Sequence, residues 1–148
     1  MIQPEIAKSE QESAIKKISR LNRLNSNSLT KQLAEIGIAR GTLPILMEVL
    51  CRDGIIQQEI TQALSIDPAA TARALQQLEK LGFINRSENK DNRRQKCVYL
   101  TDKTREIQGR ILEILEEHKT KIFDGFTDKE KNDFLNMLDR MIHNMCNK

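Results

Sequence analysis

The sequence has 148 residues, with 24 basic and 21 acidic side chains, so its formal net charge at pH 7 is only +3. A chain of this length can bury a core and is expected to form one domain, or one compact module with extensions. No apolar run approaches the roughly 18 residues of a membrane span, and the N-terminus lacks the apolar core of a secretory signal. We therefore expect a cytoplasmic protein.

The chemistry-bearing residues do not form an enzyme or metal motif. Cys51, Cys97 and Cys146 are far apart and odd in number, which fits neither a disulfide framework nor a CxxC zinc site. We interpret all three as small buried or half-buried thiols. His118 and His143 fall in helical stripes, where packing or surface roles are common. There is no glycine-rich phosphate loop, GxSxG or HExxH motif, so we expect no enzyme, no metal and no cofactor.

The first segment predicts a long helix. Ser9 and Glu12 fit a capping box, which satisfies free N–H groups at a helix start. Apolar residues then recur every three to five positions, as one helical face requires: Ile15, Ile18, Leu21, Leu24, Leu29, Leu33 and Ile36. Asn and Ser are weak helix formers, so the Asn25–Ser28 patch leaves open one long helix or a broken pair.

Three helices are predicted next. Thr42 is a candidate cap for the second helix, and Pro44 lies in its first turn, where a missing N–H costs least. This helix should end near Gly54. The third helix is Gln57–Leu64, and the fourth is Pro68–Leu81, which a glycine follows. Two helices separated by three residues have the proportions of a helix-turn-helix.

A charged hairpin follows the fourth helix. The segments Gly82–Glu88 and Lys96–Thr101 are rich in residues that suit a pleated surface, and both predict strands. The stretch Arg86–Lys96 holds five basic and two acidic residues, a local charge of +3. Local charge determines an electrostatic footprint better than the total does. A two-stranded hairpin after a helix-turn-helix is typical of a winged module.

The C-terminal third predicts two amphipathic helices. Apolar positions from Ile107 to Phe123 mark the first helix, and Thr127 with Glu130 forms a capping box for the second. A winged module is too small to bury the apolar faces of helices at both chain ends, so a second copy is the simplest partner. We expect a mainly α fold in three parts. These are a dimerisation helix at 1–41, a winged helix-turn-helix at 42–101 and dimerisation helices at 102–148.

Two motifs carry a family resemblance. LEKLGFINR (Leu78–Arg86) and NRRQKCVYLT (Asn92–Thr101), in this order and with these helix lengths, resemble the MarR family of winged helix-turn-helix regulators. The resemblance covers nearly the whole chain. It implies a homodimeric DNA-binding transcription regulator, more often a repressor, that binds a near-palindromic operator. Relatives respond to small, often phenolic or anionic, ligands in a cleft, which should be lined here by the first, second and fifth helices.

The chain departs from the family pattern at two places. Asn92 stands where the family usually has a wing aspartate. Either Asp91 takes over its role, or the wing is held less firmly. The third helix begins at Ile56–Gln57, where relatives often have a Ser or Thr cap, although Gln57 and Gln58 could still donate to phosphate.

The recognition helix should present its N-terminal residues to base edges. Small side chains allow close approach and can contact thymine methyls, whereas Arg and Gln can bond bases or phosphate. The predicted contacts are Ala69 and Ala70 at the start of this helix, together with Thr71, Arg73 and Gln76, which we place off the leucine face.

Basic residues supply the other predicted contacts. Arg side chains at a hairpin tip can enter a minor groove or clamp phosphate. By family resemblance Arg94 is the groove reader and Arg93 a phosphate contact, while Arg86 could bond Asp91 or a phosphate. The first helix carries a further basic set, which fits a solvated face better than a second DNA patch: Lys16, Lys17, Arg20 and Arg23. The rival functions are a winged-helix protein-interaction module and a nonspecific architectural DNA binder.

Overall fold

The computed structural model describes residues 13–146. The chain divides into two compact units between Ile114 and Leu115, and each unit is described by itself. Across the described residues the fold is mainly α-helical with one small sheet. Its elements in chain order are α1 (Ala14–Glu35), α2 (Leu43–Cys51), β1 (Ile55–Ile56), α3 (Gln57–Leu64), α4 (Pro68–Lys80), β2 (Ile84–Glu88), β3 (Lys96–Leu100), α5 (Asp102–Ile122) and α6 (Asp128–Cys146).

Helix α1 is one unbroken helix. The Ser13 side chain accepts a hydrogen bond from the Lys16 N–H at 3.2 Å and caps its start, whereas the predicted Ser9–Glu12 capping box lies outside the described residues. The Asn25–Ser28 patch does not interrupt it. Weak propensity costs only a few tenths of a kcal/mol per residue, which is less than the packing of the buried Leu33 contributes.

The helix-turn-helix follows the predicted bounds closely. Pro44 lies in the first turn of α2 as expected, but Thr42 does not cap the helix through its side chain. Its hydroxyl donates instead to the Ala39 carbonyl at 2.7 Å, because Thr42 already has helical dihedral angles. Between α3 and α4, Ser65 adopts a left-handed conformation with φ of 51°. That residue turns the chain, and Asp67 and Pro68 then open α4.

The wing is part of a three-stranded antiparallel sheet in the order β1-β3-β2. The hairpin pairs Ile84 with Leu100 at its base and Glu88 with Lys96 at its outer end. Strand β1 was not predicted, because two residues are too few to show an alternating pattern. It pairs Ile55 with Val98 on the side of β3 that faces away from β2. The wing strand β3 therefore has a hydrogen-bonded neighbour on both sides.

The core of the first unit lies where the helices meet the sheet. Its fully buried apolar side chains come from α2, α3, α4, β2, β3 and α5, and from Phe83 just before β2: Leu46, Val49, Ile60, Leu75, Leu78, Phe83, Ile84, Val98, Ile111 and Ile114. Burial of such side chains contributes roughly 1.5–3 kcal/mol each. This core fixes the position of the recognition helix relative to the wing.

The second unit contains the end of α5 and the whole of α6. Phe123 makes edge-to-face contacts with Phe126 and Phe134, with ring centroids 5.7 and 6.0 Å apart. The predicted capping box is confirmed: Thr127 Oγ1 accepts from the Glu130 N–H, and a Glu130 carboxylate oxygen accepts from the Thr127 N–H, both at 3.1 Å. No residue of α6 is buried, and several large apolar side chains on it are exposed.

The three cysteines differ in exposure. Cys97 is buried as expected, but Cys51 and Cys146 are exposed, so the prediction of buried or half-buried thiols is wrong for these two. Both lie at helix C-termini, positions that periodicity alone does not assign to the interior. Over residues 13–146, no helix is long and apolar enough to cross a membrane.

Candidate nucleic-acid interface

The recognition helix α4 has a buried face and an exposed face. Thr71, Leu75 and Leu78 are fully buried, at spacings of four and three residues, and hold the helix to the core. The opposite side carries an exposed stripe at the same helical period, formed by Ala69, Arg73, Gln76 and Lys80. Ala70, at the flank of this stripe, is half-buried.

Thr71 is a correction to the sequence interpretation. The sequence interpretation places it off the leucine face as a DNA contact, but it precedes Leu75 by four residues and shares its buried face. The Thr71 hydroxyl accepts from Thr61 Oγ1 at 2.8 Å and donates to the Asp67 carbonyl at 3.3 Å. Its polar side chain is therefore satisfied inside the module, where it joins α3 to α4.

A concave space with a volume of about 400 Å³ lies between α3, the start of α4 and the wing. We call it the interface concavity. Its lining residues are Ile56, Gln57, Gln58, Thr61, Pro68, Arg94, Gln95 and Lys96. The concavity thus brings together three sequence-predicted residues, Gln57, Gln58 and Arg94, which are up to 37 positions apart in the chain.

Neutral amide side chains hold the wing tip. Asn92 Oδ1 accepts from the Arg94 N–H at 3.1 Å, and Asn89 Oδ1 accepts from the Asp91 N–H at 3.2 Å. The Asn89 amide also donates to Gln95 Oε1 at 3.0 Å. Asp91 does not replace the usual wing aspartate. The hydrogen bond that it makes within the described residues comes from its backbone N–H and not from its carboxylate. The tip is instead closed by asparagine side chains that mimic turn backbone.

The two tip arginines remain available for a partner. Arg93 and Arg94 are exposed, as is Arg73 on the recognition helix. None of the ion pairs within residues 13–146 involves these three guanidinium groups. Exposed guanidinium groups without an ion-pair partner suit a polyanion, because each can form forked hydrogen bonds to phosphate oxygens.

Arg86 is held inside the module. It does not bond Asp91, as one sequence interpretation had it. Its backbone N–H, Nε and one terminal nitrogen donate to the Glu79 carboxylate at 3.1, 3.4 and 3.3 Å, and its other terminal nitrogen donates to Gln57 Oε1 at 3.4 Å. The hydrogen bonds from Arg86 lower the pKa of Glu79 below its ordinary value.

The root of the wing is fastened to α5. Asp53 accepts from the Leu100 N–H and from an Arg105 terminal nitrogen, both at 2.8 Å. The Thr104 hydroxyl donates to the Phe83 carbonyl at 2.6 Å. These bonds connect the end of β3, and Phe83 just before β2, to the start of α5.

Sequence reasoning missed several residues of this surface. Pro68, Gln95 and Lys96 line the interface concavity, and Lys80 extends the exposed stripe of α4. Counting helical positions from Ala69 would have found Lys80. No sequence signal gives the lining at Gln95 and Lys96, because it depends on how the hairpin folds back toward α3.

A second cavity, of about 210 Å³, lies in the first unit away from the wing. It is bordered by the second half of α1, the following loop and the start of α2. Apolar side chains line it together with amides, hydroxyls and an arginine: Asn22, Asn25, Ser26, Leu29, Thr30, Leu33, Ile38, Ala39, Arg40, Gly41, Leu43 and Pro44. The mixed lining suits a small amphipathic molecule. Within residues 13–146 no cluster of His, Cys, Asp or Glu could hold a metal ion.

Comparison with known proteins identifies the family. The MarR family model matches residues 39–96. A MarR transcriptional regulator from Methanosarcina mazei Go1 is 32% identical, with a TM-score of 0.80 and coverage of 88% of this chain and 94% of that one. The chain belongs to the MarR family. MarR family regulators bind DNA and are not enzymes, so this chain is a DNA-binding transcription regulator.

Two further relatives are also transcriptional regulators by their descriptions. A MarR family transcriptional regulator from Listeria monocytogenes, complexed with 26mer DNA, is 26% identical, covers 90% of this chain and 89% of its own, and has a TM-score of 0.85. The uncharacterized HTH-type transcriptional regulator YybA of Bacillus subtilis (strain 168) is 28% identical over 115 residues, 77% of this chain and 76% of the relative.

Proposed function

We propose that the protein is a homodimeric, sequence-specific repressor that binds a near-palindromic operator and is released by a small ligand. The observation that carries this proposal is the interface concavity, where Gln57, Gln58 and Arg94 converge beside the start of the recognition helix. In this arrangement one surface offers neutral donors and an unpaired cation to the same stretch of duplex. The wing and the helix would therefore engage DNA together.

Each surface residue has a proposed role. Ala69 and Ala70 allow the start of α4 to approach base edges, and Arg73 and Gln76 bond bases or phosphate one turn later. Arg94 enters the minor groove and Arg93 clamps the backbone. Gln57 and Gln58 donate to phosphate, which fixes the register of the helix without reading sequence.

The dimer is supported by apolar surface at both chain ends. On α1, Ile15 and Leu24 are 80% and 55% exposed, and on α6, Ile142 and Met145 are 59% and 82% exposed. Large apolar side chains exposed along one helix, as on α1 and on α6 taken separately, are typical of an interface. We therefore retain 1–41 and 102–148 as dimerisation regions and 42–101 as the DNA-binding domain. Two recognition helices in such a dimer would lie roughly 34–36 Å apart, one turn of DNA.

Ligand control would act through the cavity beside α1 and α2. A small molecule with an apolar body and an anionic group would find Leu29 and Leu33 for the body and Arg40 for the anion among the residues that line this cavity. If it binds better when the two DNA-binding domains have the wrong spacing, it lowers DNA affinity by its differential affinity for the two states. Because its target is genomic DNA, we place the regulator in the cytoplasm.

A salt series tests the proposal. The probe is the tightest-binding duplex selected from a randomised pool, compared with a scrambled duplex. We expect the wild type to prefer the selected duplex by at least roughly a thousandfold. Arg93→Ala, which removes the proposed contact with the DNA backbone, should weaken binding and reduce the slope of log K against log salt by about 0.9. Arg110→Ala, which removes a cation paired with Glu113, is the matched control and should leave the slope unchanged.

The rival functions predict other results. Equal affinity for the selected and scrambled duplexes would indicate a nonspecific architectural DNA binder. Absence of DNA binding at low salt would favour a protein-interaction module.

A further inference from the structure

Arg86 lies close to the proposed DNA surface but faces inward. Its side chain is only 15% exposed. It occupies the middle of β2, opposite Val98, and its hydrogen bonds go to Glu79 on α4 and Gln57 on α3. One side chain therefore connects the recognition helix, the wing and the start of α3.

The chemistry of the guanidinium group fixes how Gln57 is oriented. An arginine side chain has five N–H donors and no acceptor, whereas a glutamine amide has one acceptor oxygen and one NH2 group. Only the Gln57 oxygen can face Arg86, and it does so at 3.4 Å. The NH2 group must then point away from Arg86. Gln57 is also one of the residues that line the interface concavity, so that space is open to an NH2 group that Arg86 cannot accept.

Glu79 makes this orientation possible. The Arg86 backbone N–H and two of its guanidinium nitrogens donate to the Glu79 carboxylate. The two guanidinium bonds hold the guanidinium plane, and the carboxylate neutralises its charge. A neutralised, inward-facing arginine is poorly suited to bind phosphate directly. It is well suited to hold a neighbouring side chain.

We infer that Arg86 is a positioning residue for DNA binding. Supported by Glu79, it holds the Gln57 amide with its oxygen inward and its NH2 group toward the DNA backbone. Gln57 is thereby a preorganised hydrogen-bond donor, since its rotamer is already fixed before DNA binds. This inference rests on the proposed function, in which Gln57 contacts DNA.

A double-mutant cycle tests the inference. Arg86→Lys keeps the positive charge, but a single ammonium cannot span Glu79 and Gln57 with the same fork. We expect Gln57→Ala to weaken binding to the selected duplex about fivefold, the value of one ordinary hydrogen bond. Arg86→Lys should weaken it by a similar factor. The double variant should bind no more weakly than Gln57→Ala alone, because Arg86 acts through Gln57.

Two further variants separate orientation from charge. Gln57→Glu keeps an oxygen for Arg86 but replaces the NH2 group with a second anionic oxygen, so it should weaken binding more than Gln57→Ala does. Glu79→Gln loosens the hold on Arg86 without touching Gln57 and should reproduce part of the Arg86→Lys effect. It also serves in place of Arg86→Lys if that variant does not fold by circular dichroism.

A measurement without DNA makes failure of the inference distinguishable from failure of the proposed function. The side-chain NH2 resonances of Gln57 should report one fixed conformer in the wild type and averaging in Arg86→Lys. Averaging already present in the wild type would overturn the inference, whatever DNA binding shows. Effects of Arg86→Lys and Gln57→Ala that multiply in the double variant would overturn it too, because Arg86 would then act independently. If the wild type binds the selected and scrambled duplexes equally while its Gln57 amide is fixed, the proposed function is refuted and the inference about Arg86 is not.

Discussion

Replacing Thr71 with valine separates a structural role from a DNA-contact role at one position. Valine has nearly the same shape as threonine, so the change removes the hydroxyl and leaves no cavity. The lost bond is the one from Thr61 Oγ1, at 2.8 Å. The other partner is less affected, since the Asp67 carbonyl still accepts from the residue 71 N–H at 3.0 Å.

The expected magnitude follows from these partners. The Thr61 hydroxyl can turn to the Gln57 carbonyl, 3.4 Å away, so the loss should be close to one ordinary hydrogen bond, about 1 kcal/mol. For a chain of this size that lowers Tm by about 2–4 °C. Valine at both Thr61 and Thr71 should cost little more than either single change, because a pair replaced together leaves no orphaned group.

The assay compares thermal unfolding at fixed protein concentration with binding to the selected duplex. We expect Tm to fall as stated and DNA affinity to stay within about twofold, since no contact is removed. An unchanged Tm together with a tenfold or greater loss of DNA affinity would refute the assignment of Thr71 to the core.

Three other predictions concern the backbone, pH and assembly. Gly54 has φ of +89°, and an added Cβ would lie 3.0 Å from the ring of the tyrosine on β3; Gly54→Ala should therefore cost about 1–3 kcal/mol, measured by urea unfolding. Gly41→Ala, with φ of +87° and open space around it, is the control and should cost less. Burial, the larger cause, lowers the pKa of His118 below its ordinary 6.5. The unfolded chain therefore binds the proton first as pH falls below 6.5, and Tm should drop over that range in the wild type but less in His118→Gln. Ile18, 47% exposed on α1, should face the partner copy. Sedimentation should then show Ile18→Glu shifted toward monomer and Lys17→Glu still dimeric, and the reverse order would contradict the proposed interface.

Local signals were enough to predict most helix bounds. Asp67 and Pro68 mark the start of α4 and Gly82 marks its end, and the structure agrees within a residue. Thr127 and Glu130 likewise predicted their reciprocal cap. In each case the decisive interaction joins residues three or four apart, or depends on one residue's dihedral angles, so the sequence alone contains the information.

The errors have different causes. Thr71 has the spacing of a core residue relative to Leu75 and Leu78. Because its side chain is polar, the sequence interpretation assigned it to the exposed face of the helix, which is wrong. The partner of Arg86 could not be deduced, because Glu79 comes close only after the chain turns at Gly82 and enters β2. The interface concavity likewise requires the wing to fold back toward α3, which no local pattern specifies.

The hydrogen bonds of Asn89 and Asn92 at the wing tip affect how DNA binding should respond to salt. An aspartate–arginine anchor would weaken as salt is added, since charge pairs near the surface are screened. The hydrogen bonds of Asn89 and Asn92 join uncharged groups, and added ions should leave them intact. The tip should therefore keep its shape at ionic strengths that dissociate the complex. The slope of log K against log salt would then report the number of phosphates that a rigid surface contacts. Loosening of the wing would not contribute to it.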